Sequence, residues 1–452
     1  MRIKRTYCLI ATFIFSWIFL LYFTFQNRPN LASTPNDSIA NQVLEVDIRK
    51  LEDGIQEEFK KNKEMVHNLH RFMDNKKVAG VEIEIEKEKA LGSDNKLSPH
   101  VLMRNKDPSG IVIPVLVFAC NRITVSRCLD QLLQYRPDPD QFPIIVSQDC
   151  NDEQTRTVIN KYIPQVSLIQ QPDQSEIEVP PKEKKFRGYF KIARHYGWAL
   201  NEIFFNFNFK SVIIVEDDLD IAPDFFEYFL GTYPLLEKDP TLWCISAWND
   251  NGKVGLIDEK QSETLYRTDF FPGLGWMLNK ALWQELSAKW PRSYWDDWIR
   301  QPEQRKERAC IRPEISRTRT FGKIGVSNGL FYEKHLKYIK LNEKFVPFSK
   351  MNMSYLTREV YDKQFINAVY QSAVVSYQEL REGKIAHDGP VRIVYYTKES
   401  FKRTAKMLGL MDDFRSGVPR TAYRGVITFF YKGRTVYLAP NLNWKGYDIK
   451  WS

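Results

Sequence analysis

Apolar positions fall into three regimes along the chain. Residues 7–25, YCLIATFIFSWIFLLYFTF, form an unbroken apolar run without a charge. At 1.5 Å per residue, a helix of that length crosses a bilayer core. Residues 26–107 are mostly polar. From about residue 108, short apolar runs alternate with stretches whose apolar residues recur at three- and four-residue spacing. The runs are IVIPVLVFAC (111–120), FPIIVSQD (142–149), VSLIQQ (166–171) and KSVIIVEDD (210–218). The helical stretches between them are TVSRCLDQLLQY (124–135), NDEQTRTVINKY (151–162) and FRGYFKIARHYGWALNEIFFN (186–206). This alternation predicts an α/β fold with a parallel sheet of βαβ units. Near-continuous apolar strands predict that both sheet faces are covered.

The flanks of the first run set a topology. Arg2, Lys4 and Arg5 precede it, and it ends in FTFQNRPN without a small-residue cleavage site. We expect an uncleaved signal anchor, with residues 1–6 cytoplasmic and everything after Gln26 luminal or extracellular. Residues 26–107 read as a stem. Within it Leu44, Ile48, Leu51, Ile55, Met65, Leu69 and Phe72 keep a four/three spacing, interrupted where Glu58 and Asn62 fall on the seam. The stripe reads either as a coiled coil that makes a homodimer or as a single solvated helix. The globular part divides into residues 108–353 and a smaller α/β domain, 354–452. The latter offers a strand (RIVYYT, 392–397), a helix (SFKRTAKMLGL, 400–410) and a hairpin (425–440) turning at Lys432-Gly433. Asp412-Asp413 reads as a solvated loop pair.

The strand ends carry the candidate chemistry. Arg122, Asp149 and Glu216-Asp217-Asp218 each follow the carboxyl end of an expected parallel strand, where open α/β sheets bind ligands. No G-x-G-x-x-G or Walker A motif is present, so a phosphate-bearing ligand needs another counter-charge. Adjacent carboxylates offer hard oxygens to Mn²⁺ or Mg²⁺. The other reading is an acidic first turn of the helix beginning at PDFFEYF, which a helix dipole favours by itself. No His/Cys spacing suits zinc. Composition adds exclusions. With 43% hydrophobic residues in 452, the chain is not disordered, and six Cys do not make a small disulfide scaffold. A net charge of +9 spread along the chain argues against a nucleic-acid-coating protein.

Eight segments carry a family resemblance. VEDDLDIAPDFFEYF (215–229) stands with IIVSQDC (144–150), KIARHYGWAL (191–200), LWCISAWNDNGK (242–253), YRTDFFPGLGWML (266–278), WDDW (295–298), ACIRPEISRT (309–318) and GVSNGLFY (325–332). Over residues 113–451 this series resembles the N-acetylglucosaminyltransferase I family, Golgi enzymes of GT-A type. The resemblance implies a GT-A, Rossmann-like nucleotide-sugar domain and one Mn²⁺ ion. It implies an inverting transfer of N-acetylglucosamine from UDP-N-acetylglucosamine, in β1,2 linkage, to the α1,3-arm mannose of a five-mannose N-glycan. The expected location is the Golgi membrane, single-pass type II, with a luminal catalytic domain. By the same resemblance Arg122, Asp149 and His195 hold the nucleotide. Asp217 contacts the donor, Asp218 binds Mn²⁺, Asp296 is the catalytic base, and Ser327 lies on a donor-contacting loop. Asn328-Gly329-Leu330 departs from the histidine-bearing loop expected there. Two other readings stand beside this one: a transferase for another mannose acceptor, such as O-linked mannose, and a non-catalytic glycan-binding protein.

Read from the residues alone, some positions have a second meaning. His195, near Ile192 and Ala199 on a helix, also reads as a hydrogen-bonded core histidine. Arg122 also reads as an ion-pair partner of Asp149. In WDDW, Trp295 and Trp298 read as walls excluding water around Asp296, or as two aromatics turned inward from a surface helix. Among five Cys after the anchor, Cys120 and Cys150 follow adjacent strand ends and could bridge. Cys244 and Cys310 then remain as the second pair, leaving Cys128 free.

Overall fold

The computed structural model describes residues 110–323 and 329–451. The expected anchor, the stem and Ser327 lie outside the described residues. Among the described residues no helix is long and apolar enough to cross a membrane. All of them fall within one compact unit, Leu97–Ser452.

The first strand shows how the chain builds its layers. In β1 (Val115–Ala119) every residue is buried. Successive side chains point to opposite sheet faces, and the two sets enter different cores. Val115, Val117 and Ala119 pack with Val125, Leu129 and Leu132 of α1 (Val125–Tyr135). Leu116 and Phe118 pack with residues of the helix before the fourth strand. Strands β2 (Ile144–Gln148) and β3 (Ser167–Gln170) follow, separated by α2 (Glu153–Asn160). The helix α3 (Arg187–Asn201) then leads to β4 (Ser211–Glu216). β1 pairs in parallel with β2 and β4, and β2 with β3. This is the covered parallel sheet that the hydrophobic pattern predicts. The stretch read as one helix to residue 206 is in fact three pieces. A 3-10 turn (Pro181–Phe186) precedes α3, and a π turn (Glu202–Asn206) ends it.

Beyond β4 the sheet is mixed rather than parallel, a correction to the expectation. A short β5 (Leu219–Ile221) and α4 (Phe225–Lys238) precede β6 (Leu242–Ser246), β7 (Leu265–Thr268) and β8 (Trp276–Asn279). Next come α5 (Lys280–Ser287), α6 (Trp295–Ile299), α7 (Pro302–Arg305), β9 (Ala309–Pro313) and β10 (Thr318–Thr320). The eight-stranded order is β3-β2-β1-β4-β8-β6-β9-β7. β8 runs antiparallel to both β4 and β6, and β7 antiparallel to β9. Loops rather than crossover helices connect β6 to β7 and β7 to β8, so no right-handed parallel return is imposed there.

The last hundred residues add a second sheet. Helix α8 (Arg358–Gln371) leads to β11 (Ala373–Val374) and β12 (Val391–Tyr395), followed by α9 (Lys398–Leu408). A small pair, β13 (Phe414–Arg415) and β14 (Val418–Pro419), precedes the hairpin of β15 (Ile427–Tyr431) and β16 (Arg434–Pro440). The order β11-β12-β16-β15 is packed around Val391, Ile393, Phe401, Ile427 and Leu438. α9 starts at a Thr397–Ser400 capping box and stops at Gly409 (φ 80°). The hairpin turns at Lys432-Gly433, both with positive φ, as a two-residue turn between twisted strands requires. Asp413, expected to be solvated, instead holds Arg420, which also reaches Asp250 after β6.

Cys120–Cys150 and Cys244–Cys310 are disulfides, and Cys128 is a buried free thiol. The second bridge joins residues directly paired across β6 and β9. Burial, with Asp217, Asp218 and Asp220 nearby, pushes the Cys128 thiol well up. A thiol reagent at neutral pH should therefore label no cysteine in the folded globular part and Cys128 after denaturation. Labelling of Cys120, Cys150, Cys244 or Cys310 without reduction would contradict the pairing. Opening either bridge should lower stability by about 2–5 kcal/mol.

Candidate active site

The carboxyl ends of β1, β2 and β4 open onto one cleft of about 780 Å³. Each strand runs out at a hydrogen-bonded step of its neighbour. The Asp149 amide donates to the Ala119 carbonyl (2.9 Å), and the Asp217 amide to the Phe118 carbonyl (3.0 Å). After β2 the chain turns through Cys150 (φ 67°) and Asn151 (φ 49°). The Cys120–Cys150 bridge then ties the loop that carries Arg122 to the one that carries Asp149. Arg122, Asp149, His195, Asp217 and Asp218 all line the cleft. Five of the seven candidate residues thus lie in one place.

Electrostatics concentrate at the floor. Arg122 Nη1 lies 2.9 Å from Asp217 Oδ1 and 2.7 Å from Asp218 Oδ2. It does not pair with Asp149, whose Oδ1 accepts from the Gln174 amide at 3.0 Å instead. The earlier alternative of an Arg122–Asp149 bridge is thus corrected: the third strand end reaches the arginine first. Burial works against the Arg122 charge, but the Asp217 and Asp218 carboxylates raise its pKa overall. Burial and the neighbouring Asp218 push the Glu216 carboxyl up to about 7. Burial, opposed by Arg122, pushes Asp217 up to about 6. Such crowding favours a further cation. The donor atoms are hard oxygens, which suit a divalent ion of the Mg²⁺ or Mn²⁺ kind, and such an ion would have to share Asp218 with the Arg122 guanidinium. Among the described residues no group of three or more His, Cys, Asp and Glu is placed to hold a metal ion by itself. The chain would contribute few ligands and leave the rest to diphosphate and water. Gly322 backs this corner: a Cβ there would collide with the Asp218 carboxylate.

One face of α3 forms a wall. Gly188, Lys191, Ile192 and His195 line the cleft, at helical spacings of three and four. Lys191 was missed in the sequence, although its i−4 relation to His195 was the available signal. His195 is a buried, hydrogen-bonded histidine, as the residues alone suggest, and it also borders the cleft. Its Nε2 lies 2.7 Å from the Ser147 hydroxyl and its ring is edge-on to Phe118. Burial pushes its pKa down to about 4, against the pull of Asp149. The folded state thus binds fewer protons here than the unfolded chain between pH 6.5 and about 4. Stability present above that window is lost as pH falls through it. His195→Gln should therefore melt with a shallower loss of Tm between pH 7 and 4 than the parent. An unchanged slope would contradict this assignment.

Asp296 stands apart from the cleft lining. It lies on α6, entered through Tyr294 with φ 49°, and its side chain is 45% exposed. Trp295 is buried and Trp298 packs on the same core. The tryptophans therefore turn inward and do not wall Asp296 off from water, which corrects that expectation. What Trp295 does is anchor the helix. Phe118 of β1 stacks on Tyr196 of α3 at 3.8 Å, and Tyr196 stacks on Trp295 at 4.5 Å. The Tyr196 hydroxyl donates to Glu216 Oε1 at 2.8 Å. This ladder fixes α6 beside the cleft. Burial, then Glu216, then Asp296 and Asp218, push the Tyr196 hydroxyl well up, so three carboxylates act on one ring. Arg300 bonds Asp296 at 3.1 Å and Asp297 at 3.3 Å. The Asp296–Arg300 i,i+4 spacing was visible in the sequence. The Tyr196 ladder was not, because nothing local links residues 118, 196 and 295.

The GNT-I family model matches residues 9–451. This chain belongs to the GNT-I family. A curated relative of the family reaction, alpha-1,3-mannosyl-glycoprotein 2-beta-N-acetylglucosaminyltransferase of Arabidopsis thaliana, is 41% identical over 322 residues. That match covers 70% of this chain and 71% of the relative. The GNT-I chain also overlaps solved structures at low similarity. Mannosyltransferase PcManGT from Pyrobaculum calidifontis, in complex with GDP-Man and Mn2+, is 17% identical with a TM-score of 0.27, covering 38% of this chain and 46% of that one. S. aureus TarS in complex with UDP-GlcNAc is 12% identical with a TM-score of 0.30, covering 57% and 66%. Similarity at that level assigns nothing to the site.

Proposed function

We propose that this GNT-I chain transfers N-acetylglucosamine from UDP-N-acetylglucosamine, in β1,2 linkage, to the α1,3-arm mannose of a five-mannose N-glycan. Family membership over nearly the whole chain makes it a glycosyltransferase, and the named reaction is that of the relative 41% identical to it. The observation that carries the reading is the single cleft holding Arg122, Asp149, His195, Asp217 and Asp218 at three parallel strand ends. A non-catalytic glycan-binding protein gives no reason to gather these groups.

In this reading the domain is of GT-A type. Asp149 and His195 position the nucleotide, while Arg122, Lys191 and Asp217 face the diphosphate and sugar. Asp218 would hold Mn²⁺, which when bound offsets the charge that develops on the departing diphosphate. Asp296 accepts the proton of the mannose hydroxyl as that oxygen attacks the anomeric carbon opposite the leaving group. One in-line displacement inverts the centre, so an α-linked donor gives a β-linked product. Ser327, outside the described residues, would contribute from its loop. Transfer assays on a five-mannose N-glycan and on an O-mannosyl peptide separate the acceptors. The proposal expects turnover on the first, and turnover confined to the second would replace it.

The location is part of the same proposal. The charge-flanked run at 7–25 supports a single-pass type II Golgi protein with a luminal catalytic domain. In sealed vesicles, added protease should spare the globular part until detergent is present. Digestion without detergent would reverse the topology.

A further inference from the structure

A second cavity, of about 580 Å³, shares no lining residue with the donor cleft. It opens between the end of β7, α7 and the loop after β16. Arg267, Arg305, Lys306, Arg358, Arg424 and Lys445 line it, against only Asp269 and Glu307. Most of this charge is answered from behind. Arg267 meets Asp239 at 2.9 Å, Lys306 meets Glu285 at 3.1 Å, and Arg424 and Arg358 share Asp362.

Arg305 is different. The residue is 9% exposed, its side chain makes no ion pair or hydrogen bond among the described residues, and its Nε is buried without a hydrogen-bond partner. The guanidinium lies 5.3 Å from the centre of the Tyr447 ring. The facing Asp269 Oδ2 is engaged by the Tyr447 hydroxyl (2.6 Å) and the Arg424 amide (2.7 Å). A guanidinium does not shed its proton to escape burial. The Asp269 carboxylate acts on it through space, but no oxygen among the described residues is hydrogen-bonded to its fork. Backbone conformation points the same way. Lys306, Glu307, Ser416 and Arg424, all on the cavity wall, have φ between 48° and 58°. Such left-handed non-glycine residues collect at ligand sites, where surrounding structure holds the strain.

We propose that this cavity binds an oxyanion, a phosphate or sulfate group either free or carried on a sugar. Arg305 is the anchor, since its planar fork suits two oxygens of such a group. Lys445, exposed on the loop after β16, supplies the second positive charge. The volume exceeds a lone anion and suits a small ligand. Trp444 and Tyr447, edge to face at 5.0 Å, give the wall on which a sugar carrier packs.

The test is calorimetric titration of the full chain with inorganic phosphate, inorganic sulfate and glucose 6-phosphate, beside a glycosyl-transfer assay. Saturable one-to-one binding of at least one probe is expected. Arg305→Gln should weaken it by about tenfold or more, as loss of a charged hydrogen bond does, with transfer unchanged. Lys445→Gln should weaken it by a smaller factor, and carries the test if Arg305→Gln does not fold. Tighter binding of glucose 6-phosphate than of phosphate identifies the carried group, and equal binding identifies the free anion. No saturable binding of any probe, or binding untouched by the folded variants, overturns the proposal.

Discussion

Asp296→Asn should bind UDP-N-acetylglucosamine as the parent does and transfer it about 10²–10⁴-fold more slowly. The amide keeps the shape of the carboxylate and cannot take the proton of the acceptor hydroxyl. Folding should survive. Asp296 is half-exposed, while α6 is held by Trp295 in its stack with Tyr196 and by Arg300, whose Nε donates to the Phe271 carbonyl at 3.1 Å. Asp297, which accepts from Arg300 at 3.3 Å, is untouched by the change. A purely structural Asp296 predicts the opposite pairing of effects: lower stability, with residual activity in proportion to folded protein. Melting curves beside initial rates distinguish the two. Turnover near the parental rate would move the role of base to Asp297, its neighbour on the same short helix.

Asp218→Asn should fail in a different way. Its carboxylate is 14% exposed at the cleft floor and 2.7 Å from Arg122. Removing the charge takes one anionic ligand from the ion and one partner from the arginine. Metal affinity should drop by more than about 100-fold, since changes to groups merely supporting a ligand already cost about 10–100-fold. Donor affinity should fall with it, and transfer should become insensitive to added Mn²⁺ at concentrations that saturate the parent. Chelating the metal from the parent should reproduce this behaviour, and restoring Mn²⁺ should rescue the parent alone.

How far such a site is legible in sequence depends on the range of the interactions that make it. Arg122, Asp149 and Asp217-Asp218 could be placed because each follows a buried run, and parallel strands align their carboxyl ends. The Cys120–Cys150 bridge followed from the same adjacency. Partner choice could not be read: Arg122 prefers the Asp217-Asp218 pair to Asp149 because β4, not β2, brings two carboxylates to its side of β1. The mixed half of the sheet was unread because LWCIS, LYRT and WMLN are short and lack crossover helices. The inward turn of Trp295 depends on Phe118 and Tyr196, which only the fold brings together. Arg305 carried no sequence signal at all. Its meaning lies in a buried guanidinium that faces Asp269 yet is bonded to no oxygen among the described residues, an arrangement only the fold creates.

The most direct test of the account is a calorimetric titration of UDP-N-acetylglucosamine, with and without Mn²⁺, into the parent, Asp218→Asn and Asp296→Asn proteins. The cleft at the ends of β1, β2 and β4 predicts saturable, Mn²⁺-dependent binding to the parent and to Asp296→Asn, and its loss in Asp218→Asn. Unchanged Mn²⁺-dependent binding by Asp218→Asn would place the metal and the diphosphate elsewhere and contradict the account.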